Sequence, residues 1–158
     1  MGAKSNEPTC VFTLGLIYEE GDGVQKNILK AADWYQKGVQ AGIPSCLYNL
    51  GKLIINKEIS GEEEKGFNLI QQAAESGYSF AQNYMGRAYR FGWYVNANPV
   101  RATNWFTKAA EQNMPDAMCN LGDMYSYEDG LTIDYEKAFY WYEKAAETKH
   151  SRALTELG

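Results

Sequence analysis

Covalent and acid–base chemistry needs a nucleophile, a base within hydrogen-bond reach and a group that orients the base. The chain of 158 residues offers one histidine, His150, close to its C-terminal end, and three cysteines, Cys10, Cys46 and Cys119. A lone imidazole placed there builds no Ser–His or Cys–His pair and no multi-histidine metal site, and the cysteines lack metal-ligand spacing. The acidic clusters Glu19-Glu20-Asp22 and Glu62-Glu63-Glu64 read as solvated helix ends and loops. Glu63 or Glu64 would be the candidate general acid, and nothing around them supports the role. Asp129-Gly130 lacks the alternating oxygen ligands of a calcium loop. Gly21-Asp22-Gly23 precedes a helix but follows a helix too, whereas a phosphate-binding glycine loop follows a strand. The expectation is a protein that is not an enzyme and has no cofactor and no metal.

What remains is the chemistry of recognition. Lys52, Arg87 and Arg90 can form charge-assisted hydrogen bonds to carboxylates, and Asn49, Asn83 and Asn120 can address polar groups on a partner. A net charge of −5 argues against non-specific nucleic-acid binding, which needs a basic excess. No run approaches the roughly 18–20 apolar residues of a membrane span. Residues 1–7 are polar, with no apolar signal-peptide core, and are expected to form a flexible N-terminus. Unpaired cysteines and the missing signal peptide point to a reducing, cytoplasmic compartment.

Those recognition residues are ordered by a repeat. A small residue followed four positions later by Leu-Gly or Met-Gly occurs at Cys10…Leu14-Gly15, Cys46…Leu50-Gly51, Ala81…Met85-Gly86, Ala117…Leu121-Gly122 and Ala153…Leu157-Gly158, at spacings of 36, 35, 36 and 36 residues. Tyr18, Ile54, Tyr89 and Tyr125 keep the register, as do Asn27, Asn98 and Asp134. So do Trp34-Tyr35, Trp105-Phe106 and Trp141-Tyr142; the second unit is one residue shorter and carries Leu69-Ile70 there instead. This periodicity accounts for much of an unusual aromatic content, twelve Tyr, six Phe and four Trp. Cys10 and Cys46 stand where later units have Ala, so both read as small buried residues.

Each unit reads as two helices. First helices are expected to begin near Pro8, Pro44, Ser79, Pro115 and Ser151, since proline is tolerated in a first turn. Second helices should follow the caps Asn27, Asn98 and Asp134, and end near Gly42, Gly77 or Asn113. Gly15, Gly51, Gly86 and Gly122 lie mid-helix, where each costs about 1 kcal/mol relative to Ala. A repeated cost implies a repeated gain, expected to be close helix approach with second-helix aromatics closing over the gap. One hairpin cannot bury its own apolar face, so hairpins must stack. The fold class is therefore all-α: an α-solenoid, a right-handed superhelix of antiparallel helix hairpins. Four full repeats are expected at about 8–43, 44–78, 79–114 and 115–150, with a truncated fifth first-helix at 151–158, all in one array over 8–158. A cut end exposes an apolar face, which would favour end-to-end self-association.

The motif set resembles the Sel1-like repeat family, related to the tetratricopeptide repeats. Repeat one carries it at Leu14-Gly15, Tyr18, Gly21, Gly23-Val24, Lys30-Ala31 and Trp34-Tyr35, and repeat four at Leu121-Gly122, Tyr125, Gly130, Asp134, Lys137-Ala138, Trp141-Tyr142 and Lys144-Ala145-Ala146. The resemblance implies a protein–protein adaptor with a partner groove lined by first helices. Counting from each Leu or Met, the groove positions are Phe12, Thr13 and Leu16; Tyr48, Asn49 and Lys52; Asn83, Tyr84 and Arg87; Cys119, Asn120 and Asp123. By analogy with tetratricopeptide grooves, Asn49 and Asn120 would bond an extended peptide backbone. Lys52, Arg87 and Arg90 would sit near one another and take an acidic side chain or a C-terminal carboxylate. Trp34, Trp105 and Trp141 are assigned to packing, whereas Trp93, outside the register beside Tyr94, is assigned to exposed recognition. Two functional classes stay open at this point: a scaffold for several proteins, and a dedicated inhibitor or immunity protein that neutralises one toxin or enzyme.

Overall fold

The computed structural model describes residues 8–127 and 132–148. Among them the chain forms eight α-helices and no strand: α1 (Pro8–Glu20), α2 (Ile28–Gln40), α3 (Pro44–Ile55), α4 (Glu63–Glu75), α5 (Ser79–Phe91), α6 (Pro99–Ala110), α7 (Pro115–Ser126) and α8 (Tyr135–Glu147). The expected flexible segment 1–7, the Asp129-Gly130 turn, His150 and the truncated helix at 151–158 lie outside the described residues. Successive helices pack as hairpins, α1 with α2, α3 with α4, α5 with α6 and α7 with α8. The hairpins fall into two compact units, residues 1–78 and 79–158.

The long loops are built by one device used three times. The Asn27 backbone N–H donates to the Tyr18 carbonyl at 2.7 Å, Asn98 to Tyr89 at 2.7 Å and Asp134 to Tyr125 at 2.9 Å. The same three residues cap the next helix, their side-chain oxygens accepting from the N–H of Lys30, Arg101 and Lys137 at 2.9–3.0 Å. Each capped residue then lays its cation over the tyrosine that started the loop, 5.2–5.5 Å from the ring centre. Repeat two has Ile54 in place of that tyrosine, and its N-cap Glu62 makes no side-chain cap bond. Second helices end on left-handed residues, Gly42 (φ 72°), Gly77 (φ 92°) and Asn113 (φ 59°), as their sequence positions require.

The mid-helix glycines are close-approach points. A Cβ on Gly15, Gly86 or Gly122 would overlap the ring of Tyr35, Phe106 or Tyr142. Repeat two solves the same problem without an aromatic: a Cβ on Gly51 would lie 2.6 Å from the Gly66 carbonyl oxygen and 2.8 Å from Ile70. Of each Trp-Tyr or Trp-Phe pair, the second residue fills this gap and is buried, while Trp34, Trp105 and Trp141 are half-buried on the flank. In residues 1–78 the core gathers Val11, Ala31, Tyr35, Cys46, Leu50 and Leu53. In residues 79–158 it gathers Phe106, Met118, Cys119, Leu121, Met124 and Ala145 with their neighbours.

One packing expectation fails. Cys46 is buried, but Cys10, its register equivalent, is exposed. Cys46 is covered by the preceding second helix at Gly38, where an added Cβ would collide with its sulfur. No described helix precedes α1, so Cys10 has no such cover.

Candidate functional site

In residues 79–158, α5 and α7 each aim one stripe into a common cleft. On α5 the stripe is Asn83, Arg87, Arg90 and Phe91; on α7 it is Asp116, Asn120 and Asp123, spaced at one and two helical turns. These seven residues line an open cleft of about 460 Å³. Five of them are groove candidates of the sequence; Phe91 and Asp116 are not. Both lie one turn beyond a named position, Phe91 after Arg87 and Asp116 before Asn120, so extending each stripe by four residues would have found them.

The cleft is tied together across three helices. The Tyr142 hydroxyl of α8 donates to Asp123 Oδ1 at 2.8 Å, and Arg90 Nη1 donates to Asp123 Oδ2 at 3.3 Å. The Arg90 and Asp123 side chains are only 13% and 10% exposed, so this pair is screened little by water. Asn120 Nδ2 donates to Asn83 Oδ1 at 2.8 Å, joining the stripes a second time. Asp123 and Asn120 are thus buried bridging groups as well as cleft lining.

Compensation of Arg90 by Asp123 leaves Arg87 as the exposed cation of the cleft. Its guanidinium carbon sits 5.1 Å from the Trp93 ring centre. Trp93 stacks in turn on Phe91, centroids 5.3 Å apart, and meets Tyr84 at 6.1 Å. Trp93 lies in the loop beside Tyr94 as expected, but it is half-buried rather than exposed, held between Phe91, Tyr84 and Arg87. Burial pushes the Tyr84 phenol above its ordinary range, with the nearby Arg87 charge acting in the opposite direction.

The candidates on α1 and α3 are placed differently. Phe12 packs against Tyr35 at 6.3 Å, and Tyr48 meets Tyr78 edge-on at 5.5 Å. Lys52 lies over Tyr48, 5.6 Å from its centroid. Asn49 is buried and donates to the Ser45 carbonyl of its own helix at 2.9 Å. Thr13 is exposed and donates to the Thr9 carbonyl, Leu16 is half-buried, and Cys119 on α7 is fully buried in the core. Arg87 and Arg90 share one cleft; Lys52 belongs to the other compact unit.

The chain is 32% identical over 123 residues to chitin synthase regulatory factor 3 of Schizosaccharomyces pombe, a match covering 73% of this chain and 13% of that protein. Its fold superposes on a Sel1 repeat protein from Oxalobacter formigenes with a TM-score of 0.89 at 28% identity, over 94% of this chain and 61% of the other. A protective antigen of uropathogenic Escherichia coli gives a TM-score of 0.86 at 30% identity, over 98% of this chain and 33% of that one. The chain therefore spans less than two thirds of each of these proteins. The Sel1 repeat pattern itself matches at residues 10–43, 44–78, 79–114 and 115–150, so the chain belongs to the Sel1 repeat family, whose members are protein-interaction scaffolds.

Proposed function

We propose that this chain is a protein-binding module whose docking site is the α5–α7 cleft, and that it takes its partner by an acidic side chain or a C-terminal carboxylate. The observation behind this reading is the division of labour within each first helix. In α5 and α7 the small and apolar positions are consumed by the hairpin core, while positions that differ between repeats line one opening around an exposed arginine. A guanidinium presents paired N–H donors that match both carboxylate oxygens, which a lysine does not. The fission-yeast relative, by its name a regulatory factor, fits a role that acts through a partner rather than through catalysis.

The test is charge reversal at Arg87 alone, since Arg90 is held by Asp123 and its loss would disturb the fold. Immobilised wild-type chain and the Arg87→Glu variant are exposed to extract from the native source, and bound proteins are quantified by mass spectrometry. Specific partners should fall at least about tenfold on the variant, the order expected for a lost charge-assisted contact. An unchanged set of bound proteins means the cleft is not the docking site. Several partners of moderate affinity would identify an adaptor; one tightly held partner would identify a dedicated inhibitor.

A further inference from the structure

The α5–α6 loop of repeat three keeps the backbone path of its counterpart in repeat one while changing its side chains. In repeat one the left-handed residues are Gly21 (φ 81°) and Gly23 (φ 73°), with Asp22 between them. In repeat three they are Gly92 (φ 75°) and Tyr94 (φ 61°), with Trp93 between them. Glycine adopts this conformation freely, whereas a tyrosine is strained there. Repeat three has thus placed a Trp-Tyr pair where Asp-Gly serves the same turn with less strain. The α3–α4 loop of repeat two also holds a left-handed non-glycine residue, Lys57 (φ 59°), but among the described residues only in repeat three is such a residue an aromatic ring set beside a second one, and strain kept at such a pair points to a task for the loop.

The local geometry indicates the task. Trp93 lies against Phe91 and Tyr84, and Phe91, 53% exposed, also lines the cleft. Arg87 packs over Trp93. A guanidinium stacked on a ring keeps its plane fixed while its N–H edge stays available to a carboxylate, and little side-chain entropy is left to lose on binding. Phe91, which lines the cleft with Arg87, and Tyr94 in the loop that follows it offer exposed aromatic surface. A cation with a fixed plane next to an apolar shelf fits a peptide that carries both groups close together.

We infer that the Trp93-Tyr94 loop is a specificity element, and that the partner segment is an extended peptide with a carboxylate one or two residues from an aromatic or large aliphatic side chain. This rests on the cleft being the docking site. The probe is a phage-displayed library of random twelve-residue peptides selected on the purified chain. Enriched peptides are then measured on three proteins: wild type, Arg87→Glu, and the double variant Trp93→Asp, Tyr94→Gly, which restores the loop of repeat one. The double variant relieves strain at Tyr94 but gives up the packing of Trp93 on Phe91 and Tyr84, so its melting curve is recorded before its binding is compared. Tyr94→Gly alone, which relieves the strain and keeps the Trp93 contacts, is measured beside it; it should melt no lower than wild type, so binding lost on it does not reflect lost folding.

The expected result is enrichment of peptides pairing an acid with an apolar residue, with affinity falling at least tenfold on Arg87→Glu and on the double variant. Peptides that need Arg87 but bind the double variant as tightly as wild type overturn the specificity role and leave the cleft assignment standing. Peptides indifferent to Arg87→Glu, or a selection that enriches none, overturn both.

Discussion

The three cysteines occupy two environments, and the difference can be read by a thiol reagent. Cys10 is exposed, whereas Cys46 and Cys119 are buried. Burial pushes the Cys46 thiol up to about 11, against an ordinary 9.0, because the thiolate would sit in apolar surroundings. Near pH 7.5 an Ellman-type titration should show one rapidly reacting thiol per chain, with the other two appearing only at the rate of unfolding. A second fast thiol, or loss of the fast one on Cys46→Ala rather than Cys10→Ala, would contradict the assignment. Comparable local accounting governs the buried phenols. Tyr35 donates to Glu19 at 2.5 Å and Tyr142 donates to Asp123, so equivalent hydroxyls are satisfied by carboxylates at different register positions. In repeat four that carboxylate also holds Arg90, which is how a packing requirement and a cleft residue come to share one group.

Within a hairpin, the glycine contact decides how closely the two helices approach. Replacing such a glycine by alanine regains about 1 kcal/mol of helix propensity but forces an overlap that typically costs about 1–3 kcal/mol. The balance depends on what must move. At Gly86 the obstacle is the Phe106 side chain, whereas at Gly51 it is the backbone oxygen of Gly66, which cannot swing aside. Gly51→Ala should therefore destabilise more than Gly86→Ala, by a net of up to about 2 kcal/mol, in urea unfolding followed by circular dichroism. Equal or increased stability of Gly51→Ala would show that α3 and α4 are not packed backbone to backbone. The same contact explains why repeat two dispenses with the aromatic found in its siblings: with α4 carrying Gly66 at the crossing, there is no gap for a ring, and Ile70 suffices.

Across the whole molecule, the resolved shifts on buried groups share one direction. Burial raises Cys46, Tyr35, Tyr78 and Tyr84 above their ordinary values, with Glu19 adding to the shift at Tyr35. For a raised group the folded chain keeps a proton that the unfolded chain gives up first. The stabilisation is complete below the ordinary thiol and phenol values and is lost as pH rises through the folded ones. Stability should therefore hold from neutral pH to about 9 and fall steeply above about 10, where the phenols of the unfolded chain ionise. A melting temperature that stays level to pH 11 would mean these groups are not buried as neutral species. On the acid side, Asp134 is lowered chiefly by its hydrogen bond to Lys137, a local surface pair three residues apart that carries little weight for stability.

Much of this architecture follows from the order of residues alone. Helix starts at Pro8, Pro44, Ser79 and Pro115, the caps Asn27, Asn98 and Asp134, the left-handed ends and the glycine–aromatic contacts all follow from a 36-residue register, because each rests on short-range backbone chemistry repeated in phase. The candidate cleft residues were legible only as a stripe. Which of them face solvent, which pair internally and which join across helices depended on long-range packing. Arg87 and Arg90 look alike in the sequence, yet one is exposed on Trp93 and the other is compensated by Asp123. Cys10 and Cys46 share a register position, yet among the described residues only Cys46 has a helix packed over it. Periodicity assigns a residue to a face of its helix; the neighbour placed against that face determines whether the side chain meets water, a ring or an opposite charge, and only the tertiary structure supplies that neighbour.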